Sequence, residues 1–290
     1  LSAKAPLTTV PHAPAASSDE VLYLRPSRGW SALNLRDLWR YRELILFLTW
    51  RDVIVRYKQT VLGAGWAILN PLVNMVVLSL IFGTFAKLPT DGIPRPVFTF
   101  AALLPWGLFS KALSDAGRSM LSNRAMITKV YFPRLIIPLS SVLGGVVDFA
   151  IQLVILLGMM AYYGLAPTAA LWTVPFFLLL ALVTALGFGL WLSALNVLYR
   201  DVNYILPFLV QLWMLITPVG YSAKVVPERL ALVFALNPMV GVVEGFRWAL
   251  LGADTPPGPT LILSTSIALL VLISGLYYFR RMERTFADTV

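Results

Sequence analysis

A common phosphate-gripping device in proteins is GxxxxGK followed by Ser or Thr. None of the six lysines here is preceded by Gly or followed by Ser or Thr, so no nucleotide is expected to bind this chain in that manner. Cysteine is absent, and the single histidine, His12, lies in a Pro/Ala/Ser-rich stretch. That excludes disulfides, thiolate nucleophiles, cysteine zinc sites and the paired-histidine motif of metallopeptidases. No Ser–Lys or carboxylate pair stands out by its spacing. The chain therefore reads as a non-enzyme with no metal or cofactor of its own; if it is a pump, its energy must arrive through another subunit.

Ionisable residues inside long apolar stretches are costly and need partners. Asp148 is the main deep one, and Lys111 is its expected partner in a structural pair rather than a proton relay. Glu244 and Arg247 stand at i,i+3, and Asp52 and Arg56 at i,i+4. Both spacings let opposite charges pair along a helix. A second polar–apolar cluster is SNRAMITKVYFPRLIIPLS (122–140). Its cations Arg124, Lys129 and Arg134 alternate with Met126, Ile127, Tyr131 and Phe132. Such a segment can anchor at lipid headgroups, or it can dock as a short helix into a groove of a soluble partner.

The elements that must carry these residues follow from composition. Of 290 residues, 58% are hydrophobic and 13% charged, against about 45–50% and about 25% in an ordinary soluble domain. A soluble fold of this size has too much surface to cover with so few polar residues. The fold class is an all-α integral membrane protein. Residues 1–32, with Pro6, Pro11, Pro14 and Pro26 and no apolar run of signal-peptide length, read as a mobile cytoplasmic tail. Residues 33–62 read as an amphipathic helix at the membrane surface. Leu46, Trp50, Val53, Ile54, Tyr57 and Val61 share a stripe, while Arg51, Asp52, Arg56 and Lys58 lie off it.

Residues 63–290 then hold six expected transmembrane spans, at 64–86, 97–120, 138–164, 171–198, 203–223 and 260–279, ending in a short C-terminus. The second is apolar only over 97–110 and then carries Lys111, Asp115 and Arg118, so its later half should face protein or water. The stretch 225–252 is split by Pro238 and interrupted by Glu244 and Arg247. It reads as two re-entrant half-helices rather than a seventh span, which is tolerable where protein surrounds the backbone. With six spans and the N-terminus inside, 18 of the 23 Lys and Arg fall on the inner side, as the positive-inside rule requires. Both termini and 199–202 are then cytoplasmic, with 165–170 and 225–258 outside. The net charge of +9 fits this membrane face better than a nucleic-acid partner.

Four stretches together resemble the permease subunit of ABC-2-type polysaccharide exporters, the family that moves O-antigen, capsule and teichoic-acid chains. They are RDVIVRYKQTVLGAGWAILNPL (51–72), LLPWGLFSKALSDAGRSMLSNRAMITKVYFPRLIIPLSSV (103–142), NVLYRDVNYILPFLVQLWMLITPVGY (196–221) and LNPMVGVVEGFRWALL (236–251). They occur in the family's order and cover most of 36–280. The resemblance implies a homodimer in the bacterial inner membrane with two separate nucleotide-binding subunits, which would hold ATP and Mg. It implies an interface helix at 36–60 (Arg51, Asp52, Arg56, Tyr57, Lys58) and a coupling helix near 122–133. It also implies paired re-entrant helices before the sixth span. The residues themselves leave open an ABC-2 permease for a drug or lipid, and a membrane scaffold without transport.

A sugar chain is polar at its rim and apolar on its C–H ring faces, so its channel needs aromatic platforms and neutral hydrogen-bonding groups. On the first span Trp66, Asn70, Asn74 and Thr84 share a face at helical spacing. On the fifth, Phe208 and Gln211 lie on one face, and Trp213, Thr217 and Tyr221 on the opposite one. Periodicity does not choose between those faces. The same groups can instead join helices by hydrogen bonds or form interfacial aromatic belts.

Overall fold

Residues 35–58, 65–252 and 258–289 are described by a computed structural model, and every regular element among them is helical. The tail expected over 1–32 and Val61 of the surface stripe lie outside the described residues. The helices are α1 (Leu35–Arg40), α2 (Arg42–Lys58), α3 (Gly65–Ser79), α4 (Arg95–Ser122), α5 (Arg124–Ile127), α6 (Ile136–Leu143), α7 (Gly145–Tyr162), α8 (Val174–Leu198), α9 (Val202–Ile216), α10 (Glu228–Ala235), α11 (Pro238–Leu251) and α12 (Pro259–Thr289). Five stretches are long and apolar enough to cross a membrane: Gly65–Phe85, Arg95–Ser122, Ile136–Tyr162, Ala169–Leu198 and Pro259–Glu283.

The least apolar of the expected spans becomes the hub. Helices α3, α6, α7, α8, α9 and α11 all pack on α4, and its Phe98, Phe100, Phe109, Leu113 and Met120 are fully buried. A helix wrapped in protein can keep Lys111 and Asp115 because its neighbours, not lipid, meet them. Close approach is bought with small residues. A Cβ on Gly189 of α8 would sit 2.7 Å from Ala116 Cβ of α4, and one on Gly187 would sit 2.8 Å from the Leu272 nitrogen of α12. Gly241 and Gly245 of α11 likewise admit Ser264 of α12 and the Phe177 ring of α8, as small residues at helix crossings do.

Side-chain contacts sort the connections into two ends. At one end Arg51 of α2 donates to Asn123 Oδ1 after α4 (2.8 Å). There too Arg134 donates to the Glu283 carbonyl of α12, and Asn196 ties Asn203 to the Gly117 carbonyl (3.0 and 2.9 Å). At the other end Asp91 accepts from Ser222 (3.1 Å) and lies 3.4 Å from Lys224 Nζ, while Thr168 donates to the Ala249 carbonyl (2.6 Å). The connections expected inside and outside thus fall at opposite ends of the helical body.

Three expectations change in detail. The fifth span was expected over 203–223, but α9 stops at Ile216 and Thr217 turns extended (ψ 137°). Pro218 follows and offers no N–H to continue the helix. Fifteen residues cover roughly 22 Å of a core about 30 Å thick. The chain nevertheless runs from one end at Asn203 to the other at Ser222. The third expected span is α6 plus α7, broken at Gly144–Gly145. The last is longer than expected: α12 continues to Thr289, where Phe279 and Phe286 are buried against each other, ring centroids 5.4 Å apart.

The segment 225–252 forms two helices meeting at Asn237. Its start lies near Asp91 and its end near Thr168, both at the same end of the body. Its middle bonds to Trp213 in the last turn of α9 and to Thr217 just past its end, short of the Asp91–Ser222 contact. It therefore enters and returns on one side.

Candidate coupling face and channel surface

Helix α2 is sided. Ile45, Leu48 and Val53 are buried against the body, whereas Leu46, Phe47, Trp50 and Ile54 are exposed. The expected stripe is therefore the outward one, with Val53 removed from it to the protein side. The inward side carries the polar ties. Thr49 Oγ1 lies 3.3 Å from the Ser140 carbonyl of α6. Arg56 pairs with Asp115 of α4 (3.1 Å) and Asp148 of α7 (2.8 Å), and its Nη1 reaches the Gly144 carbonyl (3.4 Å). Lys111 Nζ stands 3.6 Å from the same Asp148 oxygen.

Two pairings differ from those expected. Asp52 pairs with its neighbour Arg51 (2.7 Å) and not with Arg56, because Arg56 faces the body. Asp148 does meet Lys111, but Arg56, from an element 92 residues away, is its nearer cation. Tyr57 is half-buried and Lys58 exposed.

The 124–134 segment begins with the single turn α5 and ends in the bend before α6. Ile127 and Phe132 (6% exposed) point into the chain's own body, and Arg134 is engaged by α12. They hold the segment in place within the chain. Arg124 and Lys129 are exposed, Met126 is half-buried, and Tyr131 is 75% exposed.

Along α3, Trp66 (45% exposed), Asn70 and Asn74 all lie on an uncovered face. Thr84 is exposed too, but Leu80–Phe85 is a π turn. A π turn spends more residues per turn than an α-helix, so Thr84 leaves the register of the other three. Gly83 sits at that turn against the Arg95 side chain. On α9, Phe208 and Gln211 are exposed. Trp213 instead turns inward, edge-on to Phe109 (5.0 Å) and Phe188 (4.8 Å), and donates to Asn237 Oδ1 (2.9 Å). Tyr221 packs on Phe82 (5.9 Å), and its hydroxyl turns back to the Leu215 carbonyl (3.2 Å). Trp213 and Tyr221 are thus packing residues, and the open face of α9 is that of Phe208 and Gln211.

Arg247 departs furthest from expectation. Instead of pairing with Glu244, its guanidinium donates to the carbonyls of Val219 (2.6 Å), Tyr221 (2.9 Å) and Phe98 (3.5 Å). It also lies over the Phe98 ring, 3.7 Å from the centroid. The residue is 2% exposed. The irregular backbone after α9 frees carbonyls that must be met in a dry interior, and a five-donor guanidinium meets several at once.

A family model described as ABC-2 type transporter matches residues 43–251, most of the chain, from α2 through α11. The chain belongs to the ABC-2 type transporter family. Its relatives include the O-antigen export system permease protein RfbA of Myxococcus xanthus, 30% identical over 259 residues, spanning 88% of this chain and 98% of that protein. The RfbA of Klebsiella pneumoniae is 26% identical over 248 residues (85% and 94%). The polysialic acid transport protein KpsM of Escherichia coli is 24% identical over 245 residues (82% and 92%). As an ABC-2 chain with several apolar spans it is a multi-pass membrane protein and a transport component.

Within this ABC-2 chain, the residue missed by sequence reasoning is Asn237. Its Oδ1 accepts from Trp213 and from the Met239 amide, and its Nδ2 donates to Thr217 Oγ1 (2.9 Å). The Asn-Pro pair ahead of an apolar run is an N-cap signal. Nothing in the spacing reveals that the same side chain also catches α9. Asn196, Asn203 and Asn123, which tie the connections at one end of the body together, carry no periodic signal at all.

Proposed function

We propose that the chain is the channel-forming permease subunit of an ATP-driven exporter of lipid-linked polysaccharide in a bacterial inner membrane. Six crossings place both termini and the 122–135 and 199–203 connections in the cytoplasm, α9 being the shortest crossing. The observation that carries the proposal is the uncovered face of α3, where Trp66, Asn70 and Asn74 stand outward on an otherwise apolar helix. Amides facing lipid find no hydrogen-bond partners, so that face belongs against a second copy of the chain or a hydrated lumen between the two. Aromatic and amide groups suit a sugar's ring face and its hydroxyl rim. The names of the relatives, two for O-antigen export and one for polysialic acid transport, support a glycan over a drug or lipid.

Energy comes from two nucleotide-binding subunits holding ATP and Mg, which dock on the exposed side of 124–131 and beside α2. Their closure shifts α2 and α5, and through them the helices that flank the lumen. Glu244 and Arg247 sit in the re-entrant pair at the outer end, where they fix the geometry of its mouth. Partners are a second copy, the ATPase, the glycan and membrane lipid; no nucleic acid is involved. The test is purification of the tagged permease with its co-expressed ATPase, followed by hydrolysis with and without lipid-linked glycan. Stable assembly and stimulation by the glycan are expected. Assembly with stimulation by lipids or drugs but not by glycan would overturn the substrate.

A further inference from the structure

Helix α2 precedes α3 in the chain, and several of its polar side chains tie it to other elements. Thr49 reaches the Ser140 carbonyl, Arg51 reaches Asn123, and Arg56 reaches Asp115, Asp148 and the Gly144 carbonyl. Asp115 lies on the hub helix α4, and Asp148 lies just beyond the Gly144–Gly145 break that begins α7. Asp148 is buried, and its cations are Arg56 from α2 and Lys111 from α4. Two carboxylates thus face two cations, and one of the cations is supplied by α2. Withdrawing α2 would leave a carboxylate without its cation among packed helices, at heavy cost. A planar guanidinium that grips two acids on two helices resists both sliding and rotation better than a single point charge.

We propose that Arg56 is the positioning residue that delivers movement of the interface helix directly to α4 and α7, so that α2 and the body shift as one piece during transport. This rests on the proposed coupling to an ATPase. It goes beyond that proposal by naming the transmitting contact.

The experiment uses the full permease with its ATPase and measures glycan exported per ATP hydrolysed. Arg56→Met is expected to lower that ratio at least about tenfold, and Arg56→Lys to recover only part of it. Glu43→Gln, at an exposed position on the same helix, serves as control. Bridging cysteines placed at Thr49 and Ser140 with a short bifunctional thiol reagent is expected to leave export intact and to restore coupling to Arg56→Met. A wild-type ratio in Arg56→Met, or loss of export on bridging the otherwise unmodified chain, would overturn the proposal.

Amide exchange in the isolated permease gives a readout independent of transport. Exchange in α2 should rise at least about tenfold in Arg56→Met while α8 stays protected. Unchanged α2 exchange would overturn the clamp even if the wild-type permease proved to have no ATPase. A wild-type complex that assembles but never couples hydrolysis to glycan would instead count against the proposed function.

Discussion

Asn237 shows how one amide can decide a local structure. Its carbonyl caps α11 and receives the Trp213 indole, and its NH2 group meets the Thr217 hydroxyl where α9 ends. Removing an N-cap costs about 1 kcal/mol, and a buried donor left without a partner costs about 1–3 kcal/mol more. Asn237→Ala should therefore destabilise the permease by roughly 2–4 kcal/mol, read from thermal unfolding in detergent. Asn237→Asp keeps the acceptor for the cap and for Trp213, so it should be milder. An alanine variant as stable as wild type would show that water replaces the amide. At this scale the sequence was legible only where a local rule applied. The cap signal at Asn237–Pro238 could be read, but Arg247 looked like half of a helical ion pair. Its true partners are the Val219 and Tyr221 carbonyls freed beyond the end of α9 and the Phe98 carbonyl of α4, far away in sequence.

Elements were more legible because hydrophobic length and breaks are local. The weak second span, the split at 235–238 and the sided α2 all follow from patterns of charge, proline and periodicity. What failed was the direction of individual side chains in irregular segments. Alternation of cations and apolar residues over 124–134 does not say which apolar residues turn inward, and tertiary packing assigned Ile127 and Phe132 to the body and Tyr131 to solvent. The π turn after Ser79 likewise breaks the constant periodicity that put Thr84 with Asn74. Opposite phenotypes are expected from adjacent substitutions. Phe132→Ala should lower the stability of the permease itself by about 3 kcal/mol. Tyr131→Ala should leave stability intact and weaken ATPase binding by about 2 kcal/mol, roughly thirtyfold. Thermal unfolding of the isolated permease and titration of the ATPase onto it separate the two. A Tyr131→Ala chain that binds normally would remove this surface from the docking site.

For the whole molecule, side-chain contacts place the connections expected on opposite sides of the membrane at opposite ends of the helical body. Arg51, Asn123, Arg134 and Glu283 gather at one end, and Asp91, Ser222, Thr168 and Ala249 at the other. The absence of native cysteine makes single-cysteine mapping clean. Ala166→Cys should react with an impermeant thiol reagent added outside intact cells, and Arg281→Cys should react only after the membrane is opened. Labelling of Arg281→Cys in intact cells would overturn the six-crossing arrangement. The proposed dimer and ATPase rest on family resemblance, because a single chain shows an uncovered face but not what covers it.

Reconstituted transport tests the central claim most directly. The permease and its ATPase are placed in vesicles whose outer leaflet carries a labelled lipid-linked polysaccharide, and the label is then challenged with an added glycosidase. On adding MgATP, a growing fraction of the glycan should become protected in the lumen, and Asn70→Leu or Trp66→Ala should slow that transfer while the complex stays assembled. Hydrolysis of ATP by an assembled wild-type complex with no glycan ever gaining protection would contradict a polysaccharide exporter.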